Sequence, residues 1–107
     1  MKVDYDPEAS SLLIEFDGSG ADDTEDVAGG VCLVGHCNGD PKWIQLLAAD
    51  RNVAALDEAA ERFGLDAEGL RAAARAAFAA PGREITIEVG KRLPLSDEEE
   101  PERARAA

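Results

Sequence analysis

The fold is decided by residues 31–47, which read VCLVGHCNGDPKWIQLL. Val31 and Leu33, and later Ile44 and Leu46, alternate with other residues at a period of two, which is typical of strands with one buried face. Between the two runs, Asn-Gly tolerates the positive φ that both central residues of a type I′ hairpin turn require. The stretch therefore predicts an antiparallel hairpin with strands over residues 31–36 and 42–47.

The same alternation occurs twice nearer the N-terminus, over residues 2–6 and residues 11–17. The turn between these runs contains Pro7, which fixes φ and cannot donate a hydrogen bond to a sheet. Residues 24–27 are a candidate for a short edge strand. About four strands punctuated by turns predict an antiparallel β meander with one buried face.

The period of the apolar residues changes from two to helical spacing after residue 53, at Leu56, Ala60 and Phe63. Gly64 is placed to end this helix in the left-handed conformation. Asp66 then predicts the N-cap of a second helix that runs to residue 80. The sequence therefore predicts a helical hairpin after the meander.

Residues 83–89 alternate once more and predict a strand that returns to the sheet. We expect a single α+β domain over residues 1–90, in which the helices cover one face of the sheet. Residues 91–107 are acidic and predict a flexible C-terminal tail.

The N-terminal half carries a resemblance to a known family. The residues concerned are MKVDYDPEA at 1–9, Gly30-Val31, and the segment from Ile44 to Leu47. In these segments the chain resembles the small bacterial β-meander family catalogued as domain of unknown function 2283, over about residues 1–50. The resemblance implies a meander fold and suggests an antitoxin-like role.

The chain departs from that family at four positions. Ser10, Val34 and His36 stand where acidic residues are common, and Trp43 stands where the family often has Gly. A function that depends on those acidic positions is therefore not implied for this chain.

The charge balance narrows the classes of partner. The 107 residues carry a formal net charge of −12, which repels phosphate backbones and anionic membranes. A solvated acidic surface that favours solubility is the preferred interpretation of this charge, and a basic protein is the partner it would favour. No stretch is apolar enough to span a bilayer, and the N-terminus lacks a signal-peptide pattern. With two cysteines and no export signal, we expect a cytoplasmic protein.

Cys32, His36 and Cys37, with Asp40, come closest to a metal site or a nucleophile pair. A structural zinc site needs four ligands, typically in two spaced pairs, and the chain has only one histidine. Adjacent strand residues point to opposite faces, and Cys32 and His36 would lie about 13 Å apart along a strand. We therefore expect no metal, no cofactor, no catalytic residue and no enzymatic activity.

Residues 54–80 also have the spacing of a helix-turn-helix, with two short helices and a glycine-containing turn between them. Arg71 and Arg75 could contact phosphates. Acidic residues outnumber arginines in this segment, which opposes phosphate contacts. A nucleic-acid-binding regulator is therefore the alternative function, and a helical hairpin packed on the sheet is the favoured interpretation.

Trp43, Gln45 and Leu47 are the candidate interaction surface, because they alternate with the apolar residues of their strand. An aromatic and an aliphatic side chain on the less buried face could anchor a homodimer or another protein. In the alternative, the helices cover that face and leave the other to solvent. We expect a small protein–protein interaction module, acting as a homodimer or with a basic partner.

Overall fold

The computed structural model describes residues 1–16 and 20–87. They form one antiparallel sheet and two helices, which confirms the α+β class. In chain order the elements are β1 (Lys2–Asp6), β2 (Ser11–Glu15), β3 (Asp23–Asp26), β4 (Cys32–Cys37), β5 (Asp40–Leu47), α1 (Ala55–Phe63), α2 (Ala67–Ala79) and β6 (Glu84–Thr86). The predicted tail over residues 91–107, and the end of the last predicted strand at residues 88–89, lie outside the described residues.

The strand order differs from the predicted meander. Across the sheet it is β3-β4-β5-β2-β1-β6, so β2 pairs with β5 and not with the strand that follows it in the chain. Strands β2 to β5 therefore form a Greek key. The pairing sets Leu12 opposite Leu46 and Ile14 opposite Ile44, which brings two strongly apolar strands together at the sheet centre. The acidic β3 is left at an edge, where charge discourages unwanted strand pairing.

The β4–β5 turn has the predicted geometry. Asn38 and Gly39 have φ values of 53° and 83°, as a type I′ turn requires.

The prediction for the inner face of β4 was wrong. The sequence pattern favoured Val31 and Leu33, but Cys32 and Val34 are the fully buried residues. The cause is the register with β5, which sets Cys32 opposite Leu46 and Val34 opposite Ile44. Because side chains alternate along a strand, a register that buries one set turns the other set outward.

The link between the helices forms as the sequence predicts. Gly64 ends α1 in the left-handed conformation, with φ 69° and ψ 39°. The Leu65 N–H then donates to the Ala60 carbonyl at 2.8 Å, and the Leu65 side chain is buried. Asp66 occupies the N-cap position of α2, although its side chain makes no capping hydrogen bond.

Both helices pack on one face of the sheet and bury a core of aliphatic and alanine side chains. Small alanine side chains make up most of the buried side of α2, and Phe78 near its end meets Tyr5 edge-on at 4.7 Å between ring centroids. The buried side chains of the core are Val3, Leu12, Ile14, Val27, Cys32, Val34, Ile44, Leu46 and Ala49 from the strands and their loops, and Ala55, Leu56, Ala59, Ala60, Phe63, Leu65, Leu70, Ala73, Ala74 and Ala77 from the helices and their link.

Two adjacent leucines test which face the helices cover. Leu46 is fully buried, whereas Leu47 is 37% exposed on the opposite face. Leu46→Ala should lower the free energy of unfolding by about 2–5 kcal/mol through the lost burial and the cavity left behind. Leu47→Ala should lower it by less than about 1 kcal/mol, as is usual for surface positions. Urea denaturation measures both, and equal losses would contradict the arrangement.

Candidate functional site

The sheet face opposite the helices is here named the open face. Strand register arranges its residues in three rows that cross the sheet. Read from β1 towards β3, the first row is Lys2, Glu15, Trp43, Gly35 and Thr24, the second is Asp4, Leu13, Gln45, Leu33 and Asp26, and the third is Asp6, Ser11, Leu47 and Val31. Because both helices pack on the other face, these rows present their side chains away from the core.

The centre of the open face is apolar. Leu13 and Leu47 are the exposed large hydrophobic residues of the described chain, at 36% and 37%. Trp43 and Leu33 are half-buried beside them. The structure thus brings the predicted residues Trp43, Gln45 and Leu47 together on one face. The sequence pattern did not indicate Leu13 and Leu33 as part of this surface, because only the strand register makes them neighbours of β5.

The indole of Trp43 lies against a glycine on the neighbouring strand, which leaves room for the ring. Gly35 is the cross-strand partner of Trp43, and a Cβ added there would overlap the indole ring. The ring therefore lies over the Gly35 backbone and buries it. Beside it is a shallow depression of about 290 Å³, whose lining includes Leu13, Glu15, Trp43 and Gln45.

Carboxylates border this apolar centre on both sides. Asp4 and Glu15 lie on the β1 and β2 side, and Asp26 lies on the β3 side. Lys2 is the one basic residue in the three rows. The open face therefore has an apolar patch at its centre. The bordering carboxylates of Asp4, Glu15 and Asp26 are named the acidic rim.

The cysteines and the histidine do not converge on a common site. Burial raises the pKa of the Cys32 thiol to about 11, and the carboxylates of Asp26 and Glu58 add to the effect. The Cys37 thiol donates instead to the Gly20 carbonyl at 3.3 Å. Within residues 1–16 and 20–87, no three His, Cys, Asp or Glu side chains are grouped so that they could hold a metal ion.

His36 lies on the helix side of the sheet. Its Nδ1 accepts the Gly39 N–H at 3.2 Å, and its ring packs against Phe63 with centroids 5.4 Å apart. Its Nε2 lies 3.9 Å from a carboxylate oxygen of Glu25. These contacts link the β4–β5 turn, α1 and the edge strand β3.

Two arginines of the helix-turn-helix-like segment are engaged within the protein. Arg62 forms an ion pair with Glu25 of β3, and Arg71 forms one with Asp57 of α1. Arg75 is exposed on α2. Contact of Arg62 or Arg71 with a phosphate would therefore compete with an existing ion pair.

Comparisons of the chain with protein-family models, with curated proteins and with solved structures found no match. The family resemblance of the N-terminal half therefore stays a prediction. Among the described residues, neither helix has the length and apolar character needed to cross a membrane.

Gly35→Ala tests whether the Trp43 indole rests on the Gly35 backbone. The added methyl group should displace the ring and lower the free energy of unfolding by about 1–3 kcal/mol, as overpacking does. Because Trp43 is the only tryptophan, its fluorescence emission should shift to longer wavelength. Gly20→Ala is the matched control, since a Cβ there meets no atom within 4 Å. Unchanged emission in Gly35→Ala would contradict the contact.

The buried Cys32 thiol predicts a loss of stability at high pH. Its pKa rises from 9.0 to about 11 on folding, so the native state keeps a proton that the unfolded state releases over this range. Its contribution is complete below about pH 9 and is lost as the pH approaches 11. Urea denaturation across this range should show a steeper fall for the wild type than for Cys32→Ala. Equal slopes would contradict the assignment, and Cys37→Ala controls for removal of a thiol.

Proposed function

We propose that the protein is a small cytoplasmic binding module without catalytic activity, and that its open face binds a basic protein partner. The observation that carries this proposal is the apolar patch of Leu13, Trp43 and Leu47 within the acidic rim. Exposed apolar patches with a polar border are typical of protein interaction sites.

The composition of the patch suits an anchoring role. Tryptophan is enriched among the residues that dominate binding energy, and a ring already held in place loses little entropy on binding. The contact of Trp43 with Gly35 supplies that restraint. Leu13 and Leu47 extend the apolar area on either side of Gln45, whose Nε2 donates to Ser11 Oγ at 3.4 Å.

The charges favour a basic partner over a second copy of the chain. Two open faces packed together would bring their acidic rims into proximity, and like charges across an interface are unfavourable. A basic partner would pair with the same carboxylates, in line with the net charge of −12. The antitoxin-like role suggested by the family resemblance is one form of this function, in which the module would neutralise a basic protein.

The predicted homodimer is the other complex that the open face could form. The salt dependence of binding distinguishes a homodimer from a complex with a basic partner. Screening weakens attraction to a basic partner but also weakens repulsion between acidic rims. Binding of a basic partner should therefore weaken as salt rises, whereas a dimer through the open face should strengthen. Analytical ultracentrifugation over a series of salt concentrations measures whether the dimer becomes more stable as salt rises.

Substitutions on the open face test the proposed function directly. A protein captured from native lysate would be identified, purified and titrated against the wild type, Leu13→Ser and Arg75→Ser. If it binds the open face it should be basic, and Leu13→Ser should weaken its affinity by about tenfold or more. Arg75→Ser, on the helical layer, should not change the affinity. An affinity that is independent of Leu13 would contradict the proposal.

Nucleic-acid binding by residues 54–80 stays the alternative function. A gel shift with genomic fragments at low salt tests it, because electrostatic attraction to the phosphate backbone is strongest at low salt. If the open face is the functional surface, no shift is expected. A shift that is lost in Arg75→Ser would favour the alternative.

A further inference from the structure

A second surface lies at the outer edge of β3, away from the open face. This strand pairs with β4 on one side and has no further strand beside it in the described sheet. The Val27 N–H donates to the Cys32 carbonyl at 2.9 Å, so by alternation Glu25 also faces β4. The backbone groups of Thr24 and Asp26 therefore point outward. The Thr24 N–H bonds the Asp23 carboxylate at 3.0 Å.

Helix α1 borders a cleft next to this edge. The cleft has a volume of about 420 Å³, and its lining includes Val27, Glu58, Glu61 and Arg62. Arg62 is held by its ion pair with Glu25. Glu58 and Glu61 form no ion pair with any residue of the described ranges. The cleft thus offers two exposed carboxylates above the buried Val27, beside the outward backbone groups of Thr24 and Asp26.

We propose that β3 and this cleft bind an extended basic segment of a partner protein, which adds to the sheet as a further strand. In strand addition, backbone hydrogen bonds supply affinity and alternate side chains enter flanking pockets. Val27, Glu58 and Glu61 lie on the helix side of the sheet, so the alternate side chains of the segment on that side would be basic and would face Glu58 and Glu61. The incoming strand would replace Asp23 at the Thr24 N–H and free that carboxylate for a basic side chain.

The negative charge of β3 favours a basic segment over a second copy of the chain. Strand β3 reads Asp-Thr-Glu-Asp, so a second copy of the chain would set acidic residues against acidic residues. Charged edges also serve to prevent strand pairing altogether, and a purely protective edge would bind no segment. The two roles differ in one observable, which is the binding of a basic strand.

A synthetic peptide provides the probe. It alternates Lys or Arg with Val over about seven residues, the usual length of a short strand. Titration calorimetry measures its affinity for the full chain, and nuclear magnetic resonance locates it. We expect contacts between peptide amides and the backbone of Thr24 and Asp26. A peptide with N-methyl groups on its pairing edge keeps the charge but should bind about tenfold more weakly or not at all.

Variants of the protein separate strand addition from general attraction of charge. Thr24→Pro removes the outward N–H without touching the bonds to β4, and should weaken binding by about fivefold or more. Glu58→Lys should have an effect of about the same size. The matched control is Glu84→Lys, which makes the same charge change on the opposite edge strand β6 and should have little effect.

The result also separates this site from the open face. Leu13→Ser should leave peptide affinity unchanged, although it weakens a partner bound to the open face. The proposal is overturned if the peptide does not bind, if its N-methylated form binds equally well, or if Glu84→Lys weakens binding as much as Glu58→Lys. The first of these results would identify the acidic edge as protective.

Discussion

The pairing of β2 with β5 is the contact on which the rest of the structure depends. It joins the N-terminal hairpin to the β3-β4-β5 unit and places Ile14 opposite Ile44 and Leu12 opposite Leu46. These four side chains are fully buried beneath the helices. Their burial fixes which face of every strand is turned inward, and it sends β3 and β6 to the two edges.

The surfaces proposed for binding follow from that one register. Since side chains alternate along a strand, burying Ile44 and Leu46 turns Trp43, Gln45 and Leu47 to the open face. The edge position of β3 likewise leaves its outer backbone groups beside the acidic side of α1. The two binding proposals therefore depend on one sheet arrangement, but they use different parts of it and can fail separately.

Local features of the fold could be predicted from the sequence because their causes are local. The Asn38-Gly39 turn and the left-handed cap at Gly64 are set by the conformations those residues tolerate. The pairing of β2 with β5 could not be predicted, because residues far apart in the chain select it by shared burial. For the same reason the inner face of β4 was wrongly assigned to Val31 and Leu33.

The residues of the candidate site could likewise be predicted from the sequence only in part. Trp43, Gln45 and Leu47 share a face for a local reason, and the sequence placed them together. Leu13 joins them only through register, and Arg62 meets Glu25 across 37 positions of the chain. No periodicity within a single segment signals such contacts, so the acidic rim and the cleft beside β3 became visible only in the folded structure.

The central claim is that an accessible tryptophan lies within an acidic rim, on the sheet face opposite the two described helices. Fluorescence quenching of Trp43 in the native protein, at low ionic strength, tests it most directly. Neutral acrylamide should quench the emission. When the quenching by each ion is divided by its quenching of free tryptophan in the same buffer, cationic caesium should be more effective than anionic iodide, because the acidic rim attracts cations. Raising the ionic strength should reduce the difference between the two ions. A native emission that acrylamide reaches only after unfolding would contradict the account.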